Sequence, residues 1–377
     1  MPQDVQRIRE TLKQIRGKSV TGARSMIGPY YTDPDYLQLE EEIIFGREWV
    51  CIGHLGELPE TNSFFTTQVA KEPLLITRTE TGVRVLSNVC RHRGNLIVQG
   101  SGKQKRFTCA YHAWSYSADG NLIAAPHMDK IEGFDRANCS LPEFRSEIWN
   151  GFIYVNFDET AAPLSEQLGE LDEIIKNYDL ADRNMAYVEE TRWATNWKCL
   201  AENFMEGYHL TPTHLKTLHP ITPTSLCKKM ENGAYHTGYY AKYTPDYPDR
   251  KPFPEGLTEE ERRQSPMFWV APNHVVGLAT NNCVYMSLLP DGPDGVRIKW
   301  GVLSTAEADS KPAQDYVALC HEFNAEDKLK LETLQIGLKS AHFTPGLLAG
   351  DDLEGTIWDI YQFMAERLAS DVELTPA

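Results

Sequence analysis

Two short Cys/His pairs have the residue types and the spacing to hold a metal group. One residue separates Cys90 from His92, two separate Cys109 from His112, and sixteen lie between the pairs. Thiolates suit iron–sulfur clusters, and two imidazoles in place of two thiolates raise the reduction potential of the iron they bind. A zinc ion is the alternative, but these spacings differ from the common zinc patterns. The pairs therefore favour a [2Fe–2S] cluster.

A second group of candidate ligands follows in the segment from Glu202 to His214. A mononuclear Fe(II) that activates O₂ needs two imidazoles and one carboxylate, with its remaining positions open. His209 and His214 are candidates, although five residues along one helix would put their rings on poorly matched faces. We expect Pro212 to break the helix and let His214 turn back. Taken alone, both could be ordinary surface or capping histidines. The Cys/His pairs upstream favour the interpretation that His209 and His214 are metal ligands.

Candidates for the carboxylate lie far downstream. Asn324 predicts a helix N-cap, and Asp327 would then share a stripe with Leu331, Leu334 and Leu338. A carboxylate on an apolar stripe faces the core and needs a partner, although the helix dipole alone also favours Asp in a first turn. We favour this residue among four candidates, which are Asp327, Asp351, Asp352 and Asp359.

The elements that must position these groups change in type along the chain. Residues 4–16 and 38–50 have helical patterns, whereas residues 51–157 alternate short apolar runs with turns, which predicts a small all-β unit. Beyond it, the mixed pattern predicts an α+β domain with an antiparallel sheet. Its helices are expected near 165–178, 196–210, 311–323 and 325–340, and its strands near 184–193, 234–243, 267–279, 283–290 and 296–304.

We therefore divide the chain into N-terminal helices that pack on the last domain (1–44), the all-β domain (45–157) and the α+β domain (158–377). A loop-like, Pro-rich tract at 244–254 is a candidate cover for a substrate pocket.

Composition narrows the classes of partner. The net charge of −16 disfavours nucleic acid, and it could attract a cationic substrate or simply aid solubility. No apolar run reaches the ~18 residues of a membrane span, and no secretory signal is evident, so we expect a cytoplasmic protein. The eight cysteines are spread along the chain, and we expect most to be buried thiols rather than disulfides.

The two pairs also resemble a known cluster motif. C-x-H-R-G from Cys90 and C-x-Y-H-x-W from Cys109 are similar to the motif of ring-hydroxylating and related Rieske non-heme iron oxygenases. Respiratory Rieske proteins carry an extra cysteine in each loop, which this chain lacks. Small Rieske ferredoxins share the motif, but more than 200 residues follow the β unit here.

The resemblance extends over about residues 40–370. The family pattern E-N-x-x-[DE]-x-x-H-x4-H matches from Glu202 to His214, and E-D-x-x-x-x-E-x-x-Q-x-G matches from Glu326 to Gly337. In the family, the acid three residues before the first His bridges the two metal centres. The resemblance implies that Glu206 accepts hydrogen bonds from His209 and from a cluster ligand, His112. It further implies that the cluster ligands are Cys90, His92, Cys109 and His112 and the iron ligands His209, His214 and Asp327.

The family's fold is a small Rieske domain joined to a larger helix-grip (START/Bet v1-like) catalytic domain. The resemblance implies a homotrimer in which electrons cross from one subunit's [2Fe–2S] cluster to the next subunit's mononuclear Fe(II). It also implies a separate flavin/iron–sulfur reductase that draws electrons from NAD(P)H. The expected reaction is an O₂-dependent monooxygenation, with dioxygenation left open.

The substrate class depends on one departure from the commonest family pattern. Most members have Asp as the bridge, whereas Glu206 resembles the subgroup that oxidises carnitine and glycine betaine. This implies hydroxylation of a quaternary ammonium compound, followed by N-demethylation or C–N cleavage. Hydroxylation or O-demethylation of an aromatic carboxylate or phenol is the alternative. Six aromatic residues could bind either substrate or simply form core: Phe204, Tyr208, Tyr239, Tyr240, Phe268 and Trp269.

Overall fold

The computed structural model describes residues 2–369, so the end of the predicted α+β domain, residues 370–377, lies outside the described residues. The chain forms two compact units. One contains residues 46–161, and the other combines the residues up to Phe45 with those from Ala162 onward. Among the described residues, no helix has the length and apolar character needed to cross a membrane.

The unit of residues 46–161 is built almost entirely of strands, as predicted. Its strands pair antiparallel in three small sheets, with the orders β1-β10-β9, β4-β3-β2-β5 and β6-β7-β8. Turns at Thr81-Gly82 and Asp119-Gly120 connect β3 to β4 and β7 to β8. The strands are β1 (Val50–His54), β2 (Ser63–Val69), β3 (Glu72–Thr79), β4 (Gly82–Ser87), β5 (Ser101–Lys103), β6 (Arg106–Thr108), β7 (Ser115–Ser117), β8 (Leu122–Ala124), β9 (Arg145–Trp149) and β10 (Phe152–Asn156).

The other unit is α+β, with one seven-stranded antiparallel sheet in the order β11-β17-β16-β15-β14-β13-β12. The strands are β11 (Asn184–Trp193), β12 (Cys227–Lys229), β13 (His236–Lys242), β14 (Gln264–Val270), β15 (His274–Leu278), β16 (Asn282–Pro290) and β17 (Val296–Ser304). The helices are α1 (Gln3–Ile15), α2 (Pro29–Thr32), α3 (Pro34–Ile43), α4 (Leu164–Ile175), α5 (Trp197–Phe204), α6 (Leu210–Thr213), α7 (Lys311–Leu338) and α8 (Gly355–Leu368).

Several predicted boundaries were wrong. The helix expected at 38–50 ends at Ile43, and the strand-like run 267–279 falls in two strands, β14 and β15. The helices expected at 311–323 and 325–340 form the single helix α7, so Asn324 lies inside it rather than at an N-cap. This helix begins with Pro312 in its first turn, a favourable position for proline.

The buried stripe of α7 also differs from the predicted one. Leu331 and Leu338 are buried with Asp327, but Leu334 is 44% exposed. The next buried residue after Leu331 is instead Gln335, four residues along the helix, whereas the prediction had placed Leu334, three residues along. The Gln335 side chain accepts a hydrogen bond from the Asn196 backbone N–H, so a polar residue is satisfied inside the unit.

A fully buried ion pair joins the N-terminal helices to the segment that precedes the candidate iron ligands. Lys198 Nζ of α5 lies 2.7 Å from Glu40 Oε1 of α3, and both side chains are at most 1% exposed. The Trp197 indole N–H donates to the same carboxylate at 3.1 Å. Because neither charge is solvated, each depends on the other.

We predict that Lys198→Met lowers the free energy of unfolding by about 3–5 kcal/mol, since it leaves the Glu40 carboxylate buried without its cation. Urea unfolding followed by circular dichroism measures this. The double variant Glu40→Gln/Lys198→Met should be less destabilised than the single one. Lys176→Met, which removes an exposed pair with Glu173, is the control and should change stability by less than about 1 kcal/mol. A Lys198→Met effect as small as the control's would contradict the prediction.

Candidate functional site

Two tight loops of the β unit carry the Cys/His pairs. The Cys90 N–H donates to the Asn95 carbonyl at 2.9 Å, and the Cys109 N–H donates to the Trp114 carbonyl at 2.8 Å. Each loop turns through a residue with positive φ, Gly94 at +75° and Ala113 at +60°. Glycine adopts this conformation without strain, whereas alanine does so only at a cost in free energy.

The loops bring the two imidazoles together. The ring centroids of His92 and His112 lie 4.5 Å apart, and the Trp114 ring stacks on His92 at 4.9 Å. Cys90 and Cys109 are buried, free thiols. His92 Nδ1 is also buried and has no hydrogen-bond partner among the described residues. Buried thiols beside an unpartnered imidazole nitrogen fit a [2Fe–2S] cluster.

The sequence interpretation missed Tyr116, which supports this loop pair. Its hydroxyl lies 3.4 Å from Cys90 Sγ and accepts a hydrogen bond from the Arg91 N–H at 3.0 Å. Hydrogen bonds near a ligating sulfur tune the potential of a cluster. The only signal was its position two residues after Trp114, on the same face of the strand that leaves the loop.

The second group lies on a broken helical segment. The helix expected at 196–210 ends at Phe204, and Pro212 lies inside the one-turn helix α6 instead of ending a long one. His209 and His214 flank α6, with ring centroids 5.1 Å apart. A Cβ on Gly207 would lie 2.5 Å from Cys227 Sγ, so only glycine fits at this turn.

Asp327 joins the two histidines from the buried stripe of α7. Its Oδ1 lies 3.1 Å from His214 Nε2 and 3.6 Å from His209 Nε2. One potential ligand atom from each of the three residues lies within 4.8 Å of the others. The remaining candidates lie in ion pairs elsewhere: Asp352 with Lys228 (2.8 Å), Asp351 with Lys229 (3.1 Å) and Asp359 with Lys229 (2.9 Å).

Two carboxylates orient the imidazoles. Glu206 Oε1 lies 2.6 Å from His209 Nδ1, and its Oε2 accepts the His209 backbone N–H at 2.9 Å. Glu326 Oε2 lies 2.7 Å from His214 Nδ1 and accepts the Thr217 hydroxyl at 2.6 Å. With both Nδ1 hydrogens directed at carboxylates, each Nε2 presents a lone pair. The expected contact between Glu206 and His209 therefore forms, but across a turn rather than along a helix.

Two acceptor atoms of this group face each other and need a cation between them. His214 Nε2 and Asp327 Oδ1 are both buried without a hydrogen-bond partner among the described residues, although they are 3.1 Å apart. Two facing acceptors repel each other and are poorly solvated there. Two nitrogen ligands and one oxygen ligand on one side of an open space match the ligand set of a non-heme Fe(II) site.

Burial and neighbouring charges shift two pKa values here. Burial lowers the pKa of His209, but the Glu206 carboxylate and its hydrogen bonds outweigh burial and leave the pKa raised. Burial raises the pKa of Glu202 to about 8, although the Tyr31 and Tyr361 hydroxyls donate hydrogen bonds to it. Glu202 is therefore mostly neutral at pH 7 and adds little negative charge beside Glu206.

A largely apolar cavity adjoins the triad. One wall is a row of paired residues across four strands, in which Tyr239 faces Met267, Met267 faces Gly277 and Gly277 faces Val284. Aromatic rings form much of the remaining lining; these are Phe204, Tyr243, Tyr247, Tyr316 and Phe323.

Two of the six aromatic residues singled out from the sequence, Phe204 and Tyr239, line this cavity. Tyr240 and Phe268 do not, because each directly follows a cavity-lining residue of its strand and faces the other side of the sheet. Trp269 and Tyr208 also lie outside the lining of the cavity. Tyr240 lines a separate surface pocket with Tyr178, and Phe268 is buried next to Met267 but faces away from the cavity. The Trp269 ring packs on Phe363 of α8, and Tyr208 is 55% exposed.

We predict that Glu326→Gln weakens iron binding at the His209/His214/Asp327 group by about 10–100-fold, because the carboxylate orients His214. Titration of the metal-depleted protein with Fe(II) measures this, with cluster absorbance as an internal check. Glu322→Gln, an exposed change one turn earlier on α7, is the matched control. Equal iron affinity in the two variants would refute the orienting role.

Comparison with known proteins gives two family matches. The Rieske [2Fe-2S] domain matches residues 48–139, and the ring hydroxylating alpha subunit (catalytic domain) matches residues 179–370.

Individual relatives match as well. The carnitine monooxygenase oxygenase subunit of Acinetobacter pittii is 38% identical over 194 residues, which is 49% of this chain and 51% of that protein, so the chain spans about half the length of this relative. The carnitine monooxygenase oxygenase subunit of Escherichia coli is 27% identical over 320 residues, 82% of this chain and 83% of that protein.

A solved structure of a quaternary ammonium Rieske monooxygenase, described in terms of carnitine oxidation and inter-subunit electron transfer, superposes with a TM-score of 0.80. It is 25% identical and covers 93% of this chain and 96% of its own.

Proposed function

The chain belongs to the family of ring-hydroxylating alpha subunits with a Rieske domain, and on this premise we propose that it is the oxygenase component of an O₂-dependent monooxygenase. The proposal depends on one observation above all: two buried ligand sets, one suited to a cluster and one to mononuclear iron, occur in the same chain. A ferredoxin needs only the first set, and a zinc-binding module needs neither an open triad nor an adjoining cavity.

We assign the ligands as follows. Cys90, His92, Cys109 and His112 hold the [2Fe–2S] cluster, and His209, His214 and Asp327 hold Fe(II). When bound, these groups supply single-electron transfer and reductive activation of O₂. The chain's own residues orient the ligands and shield the site from water. Glu206 fixes the His209 ring through Nδ1, and the apolar lining excludes water from the space beside the triad.

We propose a quaternary ammonium compound as the substrate, oxidised at a carbon attached to nitrogen so that the product loses a methyl group or breaks its C–N bond. The names of the carnitine monooxygenase relatives support this class. The lining supports it independently, because Tyr239, Tyr243 and Tyr316 offer aromatic faces to a cation. Asp327 adds a negative charge at the inner end.

We further propose that the protein works as a homotrimer, with the electron path running from His112 of one subunit to Glu206 and His209 of the next. Support comes from large apolar side chains that are exposed beside both ligand sets, as expected of surfaces that another subunit covers. They are Leu96 (41%) and Tyr111 (55%) on the cluster loops, and Tyr208 (55%) and Leu215 (62%) beside the iron histidines.

A separate flavin/iron–sulfur reductase, supplied by NAD(P)H, is proposed as the electron source. The cysteines in the described part of the chain form no disulfide, which supports a reducing compartment such as the cytoplasm.

Reconstituted with a reductase, the holoenzyme should convert a trimethylammonium compound and leave benzoates and phenols unchanged. Product formation, measured by mass spectrometry rather than by NADH loss, is the readout, because uncoupled turnover also consumes NADH. His209→Ala should keep the cluster's absorbance, lose mononuclear iron and form no product. Conversion of aromatic acids alone would replace the proposed substrate class with the aromatic alternative.

Electron transfer between subunits predicts complementation. Cys90→Ser should remove the cluster, and His209→Ala should disable the iron site, so each variant alone should be inactive. Trimers that contain both variants should regain part of the activity, because an intact cluster can then face an intact iron site on a neighbour. Mixed oligomers without activity would instead place the electron path within one chain.

A further inference from the structure

We propose that a second pocket, on the face of the sheet opposite the cavity, binds an organic ammonium ion that carries N–H hydrogens. The second pocket is formed by α4 and the turn after it, by β13 and β14, and by the segment that leads into β14. None of the residues that line it also lines the cavity beside the triad. The inference therefore does not depend on the proposed substrate.

The alternation of side chains along two strands places the second pocket behind the cavity wall. Tyr239 and Ala241 of β13 line the cavity, whereas Tyr240 between them lines the second pocket. In β14, Ser265 lines the cavity, and Gln264 before it lines the second pocket. The two sites therefore use opposite faces of the same two strands.

Gln264 offers the second pocket an acceptor that no described residue uses. Its side chain lines the pocket although the residue is only 5% exposed, and its Oε1 is buried without a hydrogen-bond partner among the described residues. A buried amide oxygen without a donor costs free energy, because the hydrogen bond it makes to water in the unfolded chain is not replaced. A ligand that brings a hydrogen to this oxygen would remove the cost.

Negative charge gathers around the same pocket. Burial raises the pKa of Tyr240, and three carboxylates close to this residue raise it further; they are Glu260, Glu231 and Glu261. Burial also raises the pKa of Glu261, but hydrogen bonds, the first of them from the Thr258 N–H, outweigh burial and leave the pKa lowered. Glu261 therefore stays ionised at neutral pH, as a partner for a cation must.

Nearby cations leave this charge uncompensated. Glu260 and Glu261 line the second pocket, whereas none of the described residues that line it is a lysine or an arginine. Lys242 lies 3.3 Å from Glu260, but both side chains are largely exposed, so the pair is weak. The other cations near these residues in the chain pair elsewhere: Lys176 with Glu173 (2.8 Å), and Arg262 and Arg263 with Asp249 (3.9 and 3.6 Å).

The walls of the second pocket favour an organic cation over a metal ion. Tyr178 and Tyr240 line it, and aromatic faces attract ammonium groups. Apart from the iron triad, no three His, Cys, Asp or Glu side chains in the described part of the chain come close enough to hold an ion. A quaternary ammonium would leave the Gln264 oxygen without a hydrogen. A primary or secondary alkylammonium ion supplies that hydrogen, a positive charge for the carboxylates and an alkyl group for the tyrosine rings.

Calorimetric titration of the oxidised holoenzyme with n-propylammonium chloride tests the site. Gln264→Met keeps the length of the side chain and removes the acceptor, so it should weaken binding about tenfold or more, as expected for a hydrogen bond from a charged donor. Glu260→Gln should weaken binding about two- to fivefold, because an exposed carboxylate contributes modestly. Glu259→Gln changes the exposed neighbour that does not line the pocket, and as the matched control it should have a smaller effect than Glu260→Gln.

Two further measurements separate the second pocket from the cavity. Tetramethylammonium has no N–H, so Gln264→Met should leave its affinity unchanged wherever it binds. Hydrogen exchange locates the bound amine: n-propylammonium should slow exchange in residues 174–178 and 258–264, which do not line the cavity. Gln264→Met should remove this protection.

Because Gln264 is buried, its variant could lose stability, and the exposed Glu260→Gln keeps the test decisive. Binding of n-propylammonium that both variants leave unchanged would overturn the proposal, and so would protection confined to segments that line the cavity. Absence of n-propylammonium binding would overturn it as well. Binding of potassium or magnesium that depends on Gln264 in the same way would assign the pocket to a metal ion and overturn the proposal of an organic amine.

Discussion

The candidate iron site depends on two hydrogen bonds between histidine and carboxylate, Glu206 to His209 and Glu326 to His214. Each uses the Nδ1 hydrogen of a ring and turns the Nε2 lone pair inward, where it meets Asp327. The groups come from separate segments, so the short helices α5 and α6 and the long helix α7 must be held in register. The buried Glu40–Lys198 pair and the Gln335–Asn196 hydrogen bond fix that segment against its neighbours. A stable arrangement of lone pairs around an open space is what makes the segment suited to a metal.

The same two carboxylates also determine how charge is distributed around the cavity. The carboxylates that orient the imidazoles stand beside the triad, whereas the rest of the lining is made mostly of apolar and aromatic groups. Orientation of a substrate then comes from charges that the fold already fixes, and little additional ordering is needed on binding. The aromatic faces of the lining accept either a cation or a flat ring, so they do not by themselves select the substrate class.

The sequence predicted the chemistry of the sites better than their local structure. Spacing singled out Cys90, His92, Cys109 and His112 as candidate ligands, and the structure brings the two imidazoles together. The predicted division into an all-β part and an α+β part is confirmed. The helix break was misplaced, because the turn after Phe204 depends on the close approach of Gly207 to Cys227, which no local pattern reveals. Asn324 is a favourable cap by propensity, but tertiary packing continues α7 through it.

In the sheet that forms the cavity wall, side chains alternate between two faces. The residues that shape the cavity therefore differ from those that pack on the opposite face. Tyr239, Met267, Gly277 and Val284 face the cavity, whereas their chain neighbours, such as Tyr240 and Phe268, face the other side. A Cβ on Gly277 would lie 3.0 Å from both Met267 and Val284, so this position sets how much room the cavity has. Mutations on one face can therefore change which molecule fits while the packing of the opposite face is preserved. A sheet of this kind allows substrate range to diverge among descendants of one ancestor without each step first destabilising the fold.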